Sequence, residues 1–260
     1  MRPQLPLLVF TDLDGTLLSH VDYSWDPASP ALERLAAIGA GVVMASSKTA
    51  PEIHALRQDL CLQAWPAIVE NGAGLLAPHA GDDMDRSGYA QLRAGLQQVA
   101  APLREKFQGF GDMDAREVAE ATGLSHAQAV LAQDRAFSEP GTWSGTADEK
   151  SAFLKALQPL GISAREGGRF LTLSFGATKA DQMARIIQDY APQHTIALGD
   201  APNDVEMLQA ADSGVIIANP HRDPLPILDG ETGGRILRTT QAGPDGWNAA
   251  ILAHLARLSL

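Results

Sequence analysis

The chain has 260 residues, 45% of them hydrophobic and 20% charged, with 31 acidic against 20 basic side chains and a formal net charge of -11. That is the composition of a globular protein, long enough for one large domain or for a core plus a smaller second domain. The acidic balance argues against a nucleic-acid partner, and it makes an anionic substrate acceptable only where a cation is held locally. The single cysteine, Cys61, allows no intramolecular disulfide and fits a reducing cytoplasm. No His or Asn motif frames it, so it reads as a small apolar filler and not as a nucleophile. The apolar run over 5–10 is far too short to cross a membrane and leads into Asp12 and Asp14 without a small-residue cleavage site. Neither a signal peptide nor a membrane partner is expected.

In chain order, Leu7, Leu8, Val9 and Phe10 predict a buried strand that ends at Asp12 and Gly15. Apolar spacing predicts a helix over 30–38, stopped by Gly39 and Gly41. A second buried strand over 42–45 runs into Ser46, Ser47 and Lys48. A helix over 51–60, with Pro51 in its first turn, leads to a third strand over 67–69 that ends at Asn71 and Gly72. Strand, helix, strand, helix, strand at this spacing implies a parallel sheet. The stretch from 82 to 167 carries more charge and weaker apolar runs. Here we expect helices over 91–107, 115–123 and 149–160, and strands over 129–132 and 170–175. A helix over 179–190, strands over 195–198 and 215–218, and a helix over 247–258 complete the pattern. The expected fold class is α/β: a doubly wound parallel-sheet core from 1–82 and 168–260, with an α+β domain inserted over 83–167. No internal repeat or low-complexity segment is present.

Four places carry candidate chemistry. Asp12-Leu13-Asp14-Gly15-Thr16 follows the first strand, and open parallel sheets build their sites beyond the carboxyl ends of strands. Two carboxylates at i and i+2 in a tight loop can converge on one point, although Asp and Gly also make ordinary turns. Gly199-Asp200-Ala201-Pro202-Asn203-Asp204 repeats the arrangement after a later strand. Its plain alternative is a helix N-terminus, with Asn203 or Asp204 as cap. Acids at two strand ends with no His or Cys nearby favour Mg2+ over Zn2+, because Mg2+ takes hard oxygen ligands. Ser46, at the end of the second strand, offers a hydroxyl and a backbone N–H to a phosphate oxygen. Lys179 can neutralise a phosphate and an attacking carboxylate together.

In the order Asp-x-Asp-Gly-Thr, Ser, Lys, Gly-Asp-x-x-Asn-Asp, these residues resemble the four motifs of the haloacid dehalogenase superfamily. The insert between Asn71-Gly72 and Lys179 is similar to that superfamily's α+β cap, which roofs the site and selects the substrate. Ser46-Ser47-Lys48-Thr49, Glu70-Asn71-Gly72, Arg135-Ala136-Phe137-Ser138-Glu139-Pro140 and Gly167-Gly168-Arg169-Phe170 further resemble the mannosyl-3-phosphoglycerate phosphatase family. Two positions depart from that family: Ala180 stands where a glycine is usual, and Thr172 where a histidine is.

The resemblance implies a haloacid dehalogenase-like, Rossmannoid core and a Mg2+-dependent phosphomonoesterase. Asp12 would attack phosphorus and form an aspartyl-phosphate, and Asp14 would act as general acid and then base. Mg2+ would be held by the Asp12 carboxylate, the Asp14 backbone carbonyl and Asp200, with Asp204 supporting through water. Ser46, Ser47, Asn71 and Lys179 would contact the substrate. For a glycosyl-3-phosphoglycerate, Arg169 would pair with the carboxylate, with Arg135 as the alternate partner or else paired with Glu139 inside the cap. The implied partner is a small phosphorylated sugar, and the protein a monomer or small homo-oligomer. A different sugar-phosphate phosphatase and a phosphomutase are the alternatives.

Overall fold

The structure is a computed structural model, and it describes residues 4–167 and 170–260. In chain order the elements are β1 (Leu7–Thr11), α1 (Ser29–Ala37), β2 (Gly41–Ala45), α2 (Ala50–Asp59), β3 (Ala67–Val69), β4 (Gly74–Leu76), α3 (Ser87–Leu96), α4 (Ala101–Arg104), β5 (Phe107–Gly109), α5 (Ala115–Thr122), α6 (His126–Gln133), β6 (Glu139–Trp143), α7 (Ala147–Leu157), β7 (Ser163–Gly167), β8 (Phe170–Ser174), α8 (Lys179–Tyr190), β9 (His194–Gly199), α9 (Val205–Ala210), β10 (Ser213–Ala218), β11 (Ile236–Ala242) and α10 (Gly243–Leu258). The contacts divide them into two compact units. One comprises residues 1–46, 64–68 and 179–260, and the other 47–63 and 69–178.

The first unit is built on parallel strands in the order β11-β10-β9-β1-β2-β3. β1 and β2 are buried along their whole length, and β9 and β10 nearly so. Such strands read as continuous apolar runs without alternation, which is why the sequence shows them so plainly. Strand order grows outward from β1 in both directions. This makes the carboxyl end of β1 a topological switch point, where sites form in sheets of this kind. The fold is α/β with a parallel-sheet core, as expected. Tryptophan 247 of α10 is fully buried, and its indole Nε1 donates to the Thr11 hydroxyl at 3.0 Å.

The second unit carries a four-stranded antiparallel sheet in the order β5-β6-β8-β7. Leu92, Leu96, Phe107, Phe153, Leu157, Leu171 and Leu173 form one apolar cluster on it. Phe110, Val118, Ala129 and Ala132 form a second. Among the described residues no helix is long and apolar enough to cross a membrane.

Several local expectations fail here for identifiable reasons. Residues 129–132, expected as a strand, lie inside α6. Ala129 and Ala132 are buried at helical spacing while Val130 and Leu131 face solvent. A capping box starts that helix: Ser125 accepts from the Gln128 N–H and the Gln128 side chain takes the Ser125 N–H. The helix expected over 91–107 is two helices and a strand, because α3 ends at Leu96 and Pro102 sits in the first turn of α4. By contrast, the helix expected over 149–160 is present and starts two residues earlier: α7 is capped by the Thr146 hydroxyl and the Glu149 carboxylate, and a 3-10 turn over Gln158–Leu160 continues it. β6 was not expected, since Pro140 and Gly141 both disfavour strands. A Cβ on Gly141 would stand 2.5 Å from the Gln108 carbonyl oxygen, so the strand pairing itself requires glycine there.

Candidate active site

Sheet register brings the strand-end residues together. Thr11 stands beside Met44 of β2 and Leu198 of β9. Asp12, Ser46 and Asp200 therefore issue from three neighbouring strand ends, and the Asp12 N–H donates to the Leu198 carbonyl at 2.9 Å. After Asp12 the chain turns sharply. The Thr16 and Leu18 N–H groups both donate to the Leu13 carbonyl, and Gly15 takes a φ of +85°. A Cβ at Gly15 would lie 2.7 Å from Asn219 Nδ2, so glycine here serves both conformation and close approach.

Lys179, the first residue of α8, is 2% exposed. Its Nζ donates to Asp12 Oδ1 and to Asp204 Oδ1, both at 2.7 Å. Burial pulls its proton affinity down, but Asp12 and Asp204 more than offset this, and the lysine is an ammonium. Burial raises the Asp12 carboxyl far above the usual carboxylate range, and Asp204 adds to the rise while Lys179 opposes it. Asp200 is raised as well, first by burial, with the Asn219 hydrogen bond working against the shift.

Asp204 is also the anchor of its own loop. Its Oδ2 accepts the N–H groups of Asp200 at 3.1 Å and Ala201 at 3.0 Å. Asp204 stands at the N-cap position of α9 but makes no side-chain capping bond to that helix; its carboxylate is spent on the preceding loop and on Lys179. The Asp200 carboxylate is held from three sides: by the Thr16 hydroxyl at 2.9 Å, by Asn219 Nδ2 at 2.7 Å and by Arg222 Nε at 3.4 Å. None of these three was assigned a role from sequence. Thr16 was in plain view within its motif. Asn219 follows the buried strand β10, and the strand-end rule that found Asp12 and Asp200 would have found it too.

Ser46 is buried at the end of β2. Its own N–H donates to the Ile68 carbonyl at 3.0 Å, so the backbone donor expected of Ser46 is committed to the sheet and only the hydroxyl remains a candidate for phosphate. Asp14 is half-buried in the loop after Asp12. Ser47, Asn71 and Arg135 belong to the second unit. Arg135 is buried there and paired with Glu70 at 3.2 Å, not with Glu139. Glu139 instead takes the Tyr89 hydroxyl, Arg93 and the Gly111 N–H. Arg169 and Gly168 lie outside the described residues.

The carboxylates of Asp12, Asp200 and Asp204 offer one oxygen each within 4.8 Å of one another, and all three are buried. When all three are ionised, their charge faces one buried ammonium and the partly exposed guanidinium of Arg222. Buried charge left uncompensated is strongly unfavourable, so a set of hard oxygens in net deficit of positive charge fits a divalent cation such as Mg2+.

Solved structures share this architecture. Protein 0175 of Thermoplasma acidophilum matches 97% of this chain and 99% of its own, with a TM-score of 0.65 at 15% identity. The sucrose-phosphatase of Synechocystis sp. PCC6803, solved with sucrose and phosphate, matches 98% and 99% with a TM-score of 0.59 at 17% identity. The subclass IIB sugar phosphatase BT4131 matches 97% and 98% with a TM-score of 0.60 at 17% identity. At such identities the likeness is one of fold. The family described as haloacid dehalogenase-like hydrolase matches residues 9–88 and 148–230, more than half of the sequence and including Asp12, Asp14, Ser46, Asp200 and Asp204, and this chain belongs to that family.

Proposed function

We propose that this protein is a Mg2+-dependent phosphomonoesterase that acts through an aspartyl-phosphate on Asp12. The observation that carries the proposal is the Lys179 ammonium seated between Asp12 and Asp204, beside an Asp200 carboxylate that three donors hold in place. A divalent cation bound by Asp12, the Asp14 carbonyl and Asp200 would supply charge to the phosphoryl oxygens, with Asp204 supporting from the next shell. Lys179 favours the ionised form of Asp12 against burial, a bound divalent cation would add to that, and the ammonium stands ready to meet an equatorial phosphoryl oxygen. Asp12 Oδ bonds to phosphorus as the ester P–O bond breaks, and Asp14 gives its proton to the leaving oxygen. Water then attacks the acyl-phosphate, Asp14 takes its proton back, and inorganic phosphate leaves with Asp12 restored.

For the substrate we propose mannosyl-3-phosphoglycerate or glucosyl-3-phosphoglycerate. The resemblance of 46–49, 70–72, 135–140 and 167–170 to that phosphatase family supports this. So does the insert over 83–167, proposed as the substrate-selecting cap, with Ser46, Ser47 and Asn71 on the phosphate side. Arg169 is the proposed partner of the glycerate carboxylate, since a guanidinium pairs bidentately with a planar carboxylate. The reducing cytoplasm suits a chain with one cysteine.

The test is a panel of phosphorylated sugars and glycosyl-phosphoglycerates assayed for phosphate release with Mg2+ and with chelator. Release from a glycosyl-phosphoglycerate well above that from simple hexose phosphates supports the full reading. The reverse preference removes the substrate and keeps the phosphatase. An isomeric phosphosugar without free phosphate makes the protein a phosphomutase.

A further inference from the structure

Three of the sequence segments singled out above meet in one buried knot within the second unit. The Glu70 carboxylate, 2% exposed, accepts the N–H groups of Ala136 at 2.8 Å, Phe137 at 3.2 Å and Ser138 at 2.7 Å, and the Ser138 hydroxyl at 2.7 Å. Arg135, 5% exposed, lies 3.2 Å from the same carboxylate. The same Nε donates to the Ser138 carbonyl and hydroxyl, and the two terminal nitrogens reach the Ser138 hydroxyl, the Ala132 carbonyl and the Ser47 carbonyl, the last at 3.2 Å. The Lys48 carbonyl is held too, by the Glu70 N–H at 2.9 Å. Just beyond, the Thr49 hydroxyl donates to the Leu131 carbonyl at 2.9 Å.

The knot does two things to backbone. It fixes two consecutive carbonyls of the loop that follows Ser46. A trans peptide is planar, so holding a carbonyl also fixes the direction of the next N–H. It also holds Glu70 and Asn71 at φ of +51° and +59°. Positive φ is costly for a side-chain-bearing residue, and more so for Glu than for Asn. Strain of this kind persists only where the surroundings over-determine it, and it clusters at working sites. The Glu70 carboxylate alone is held by five interactions.

We propose that Glu70 and Arg135 are positioning residues: together they set the backbone of the Ser47–Lys48 loop and of the Glu70–Asn71 turn, and so set how Ser46 and its loop meet the phosphate. This rests on the phosphatase reading given above. It differs from the role first expected of Arg135, because the guanidinium acts through main chain and does not touch substrate.

The test uses Arg135→Lys, Glu70→Gln and the milder Ser138→Ala in the full-length protein with Mg2+. Inorganic phosphate is the probe, by calorimetry and as an inhibitor of p-nitrophenyl phosphate hydrolysis. Amide exchange at 47–49 and 70–72 is read in parallel. Loss of one charge-assisted contact to phosphate is worth about tenfold or more in affinity. Phosphate binding should therefore weaken about tenfold in the Lys and Gln variants, with faster exchange at those amides and the Mg2+ requirement unchanged within about twofold. A purely structural role would lower the melting temperature and leave phosphate affinity of the folded protein intact; that result overturns the proposal. If Glu70→Gln does not fold, Arg135→Lys and Ser138→Ala decide alone. A wild-type protein that neither hydrolyses p-nitrophenyl phosphate nor binds phosphate overturns the phosphatase reading itself. Normal wild-type binding with unchanged variants overturns only the positioning role.

Discussion

Lys179→Met keeps a long buried side chain and removes the ammonium between Asp12 and Asp204. The position is 2% exposed, so water cannot take the ammonium's place. Removing one member of a buried ion pair costs about 3–5 kcal/mol, because the partner is left charged in apolar surroundings. For a chain of this size each kcal/mol moves Tm by about 2–4 °C, so a fall of roughly 6–20 °C is expected in chelator near neutral pH. The pH dependence has a definite sign. The Asp12 carboxyl is already raised in the fold, above its unfolded value, and Lys179 is one of the groups opposing that rise. A raised carboxyl contributes stability that is full below the unfolded value and is lost as pH climbs. Without the lysine the loss grows, and the difference sets in as pH passes the wild-type value of about 8, so the variant's deficit should be larger at pH 9 than at pH 6. Added Mg2+ should recover part of it at pH 9, by binding only the folded form. Denaturant melts at both pH values, with and without Mg2+, measure all of this. A deficit under about 1 kcal/mol, or one that does not change with pH, would refute the charge accounting for this site.

Asp12→Asn should abolish turnover of p-nitrophenyl phosphate while circular dichroism stays that of the folded protein, since an amide cannot form the acyl-phosphate; retained turnover removes the nucleophile. Gly15→Ala should weaken Mg2+ binding, read by calorimetry, because the new Cβ would press on Asn219 at a φ of +85°. The strained conformation adds about 1–2 kcal/mol of destabilisation. His254, buried on α10 beside Arg257, is pushed down to about 4, by burial first and then by Arg257 and His194. A depressed histidine contributes stability above its unfolded value near 6.5 that is lost as pH falls towards 4. The difference between wild type and His254→Gln should therefore shrink as pH falls across this window. A parallel pair of pH–stability curves would show that His254 is not neutral by burial.

The core was legible because its signals are local and strong. β1, β2, β9 and β10 are unbroken apolar runs that end in acids or polar loops, and burial on both faces gives no other pattern. Asp12, Lys179, Asp200 and Asp204 could each be found from the strand or helix end on which it sits. What the sequence hid was pairing at long range. Nothing in Glu70 itself says that its partners lie 66 to 68 residues away in a turn around Ser138. Arg135 therefore read from sequence as an alternate substrate arginine, and its burial against Glu70 was out of view. The second unit was read least well because its elements are short and exposed. β7 has hardly a buried side chain, and β6 carries a proline and a glycine that only the neighbouring strands justify. In α6 the apolar tetrad at 129–132 drowned out the Ser125 and Gln128 cap that marks a helix start.

The pairing of Asp12 with Lys179 spans 167 residues. At synthesis rates of about 5–20 residues per second, the ribosome delivers the aspartate roughly ten to thirty seconds before the lysine. β1 is also short of one neighbour throughout that interval, since β9 supplies its other edge. A nascent chain must therefore carry a bare strand edge, apolar from Leu7 to Phe10, for most of its synthesis, the kind of edge that recruits other strands. For this protein, translation speed and chaperone cover over the middle third of the message should matter to yield as much as the stability of the finished fold.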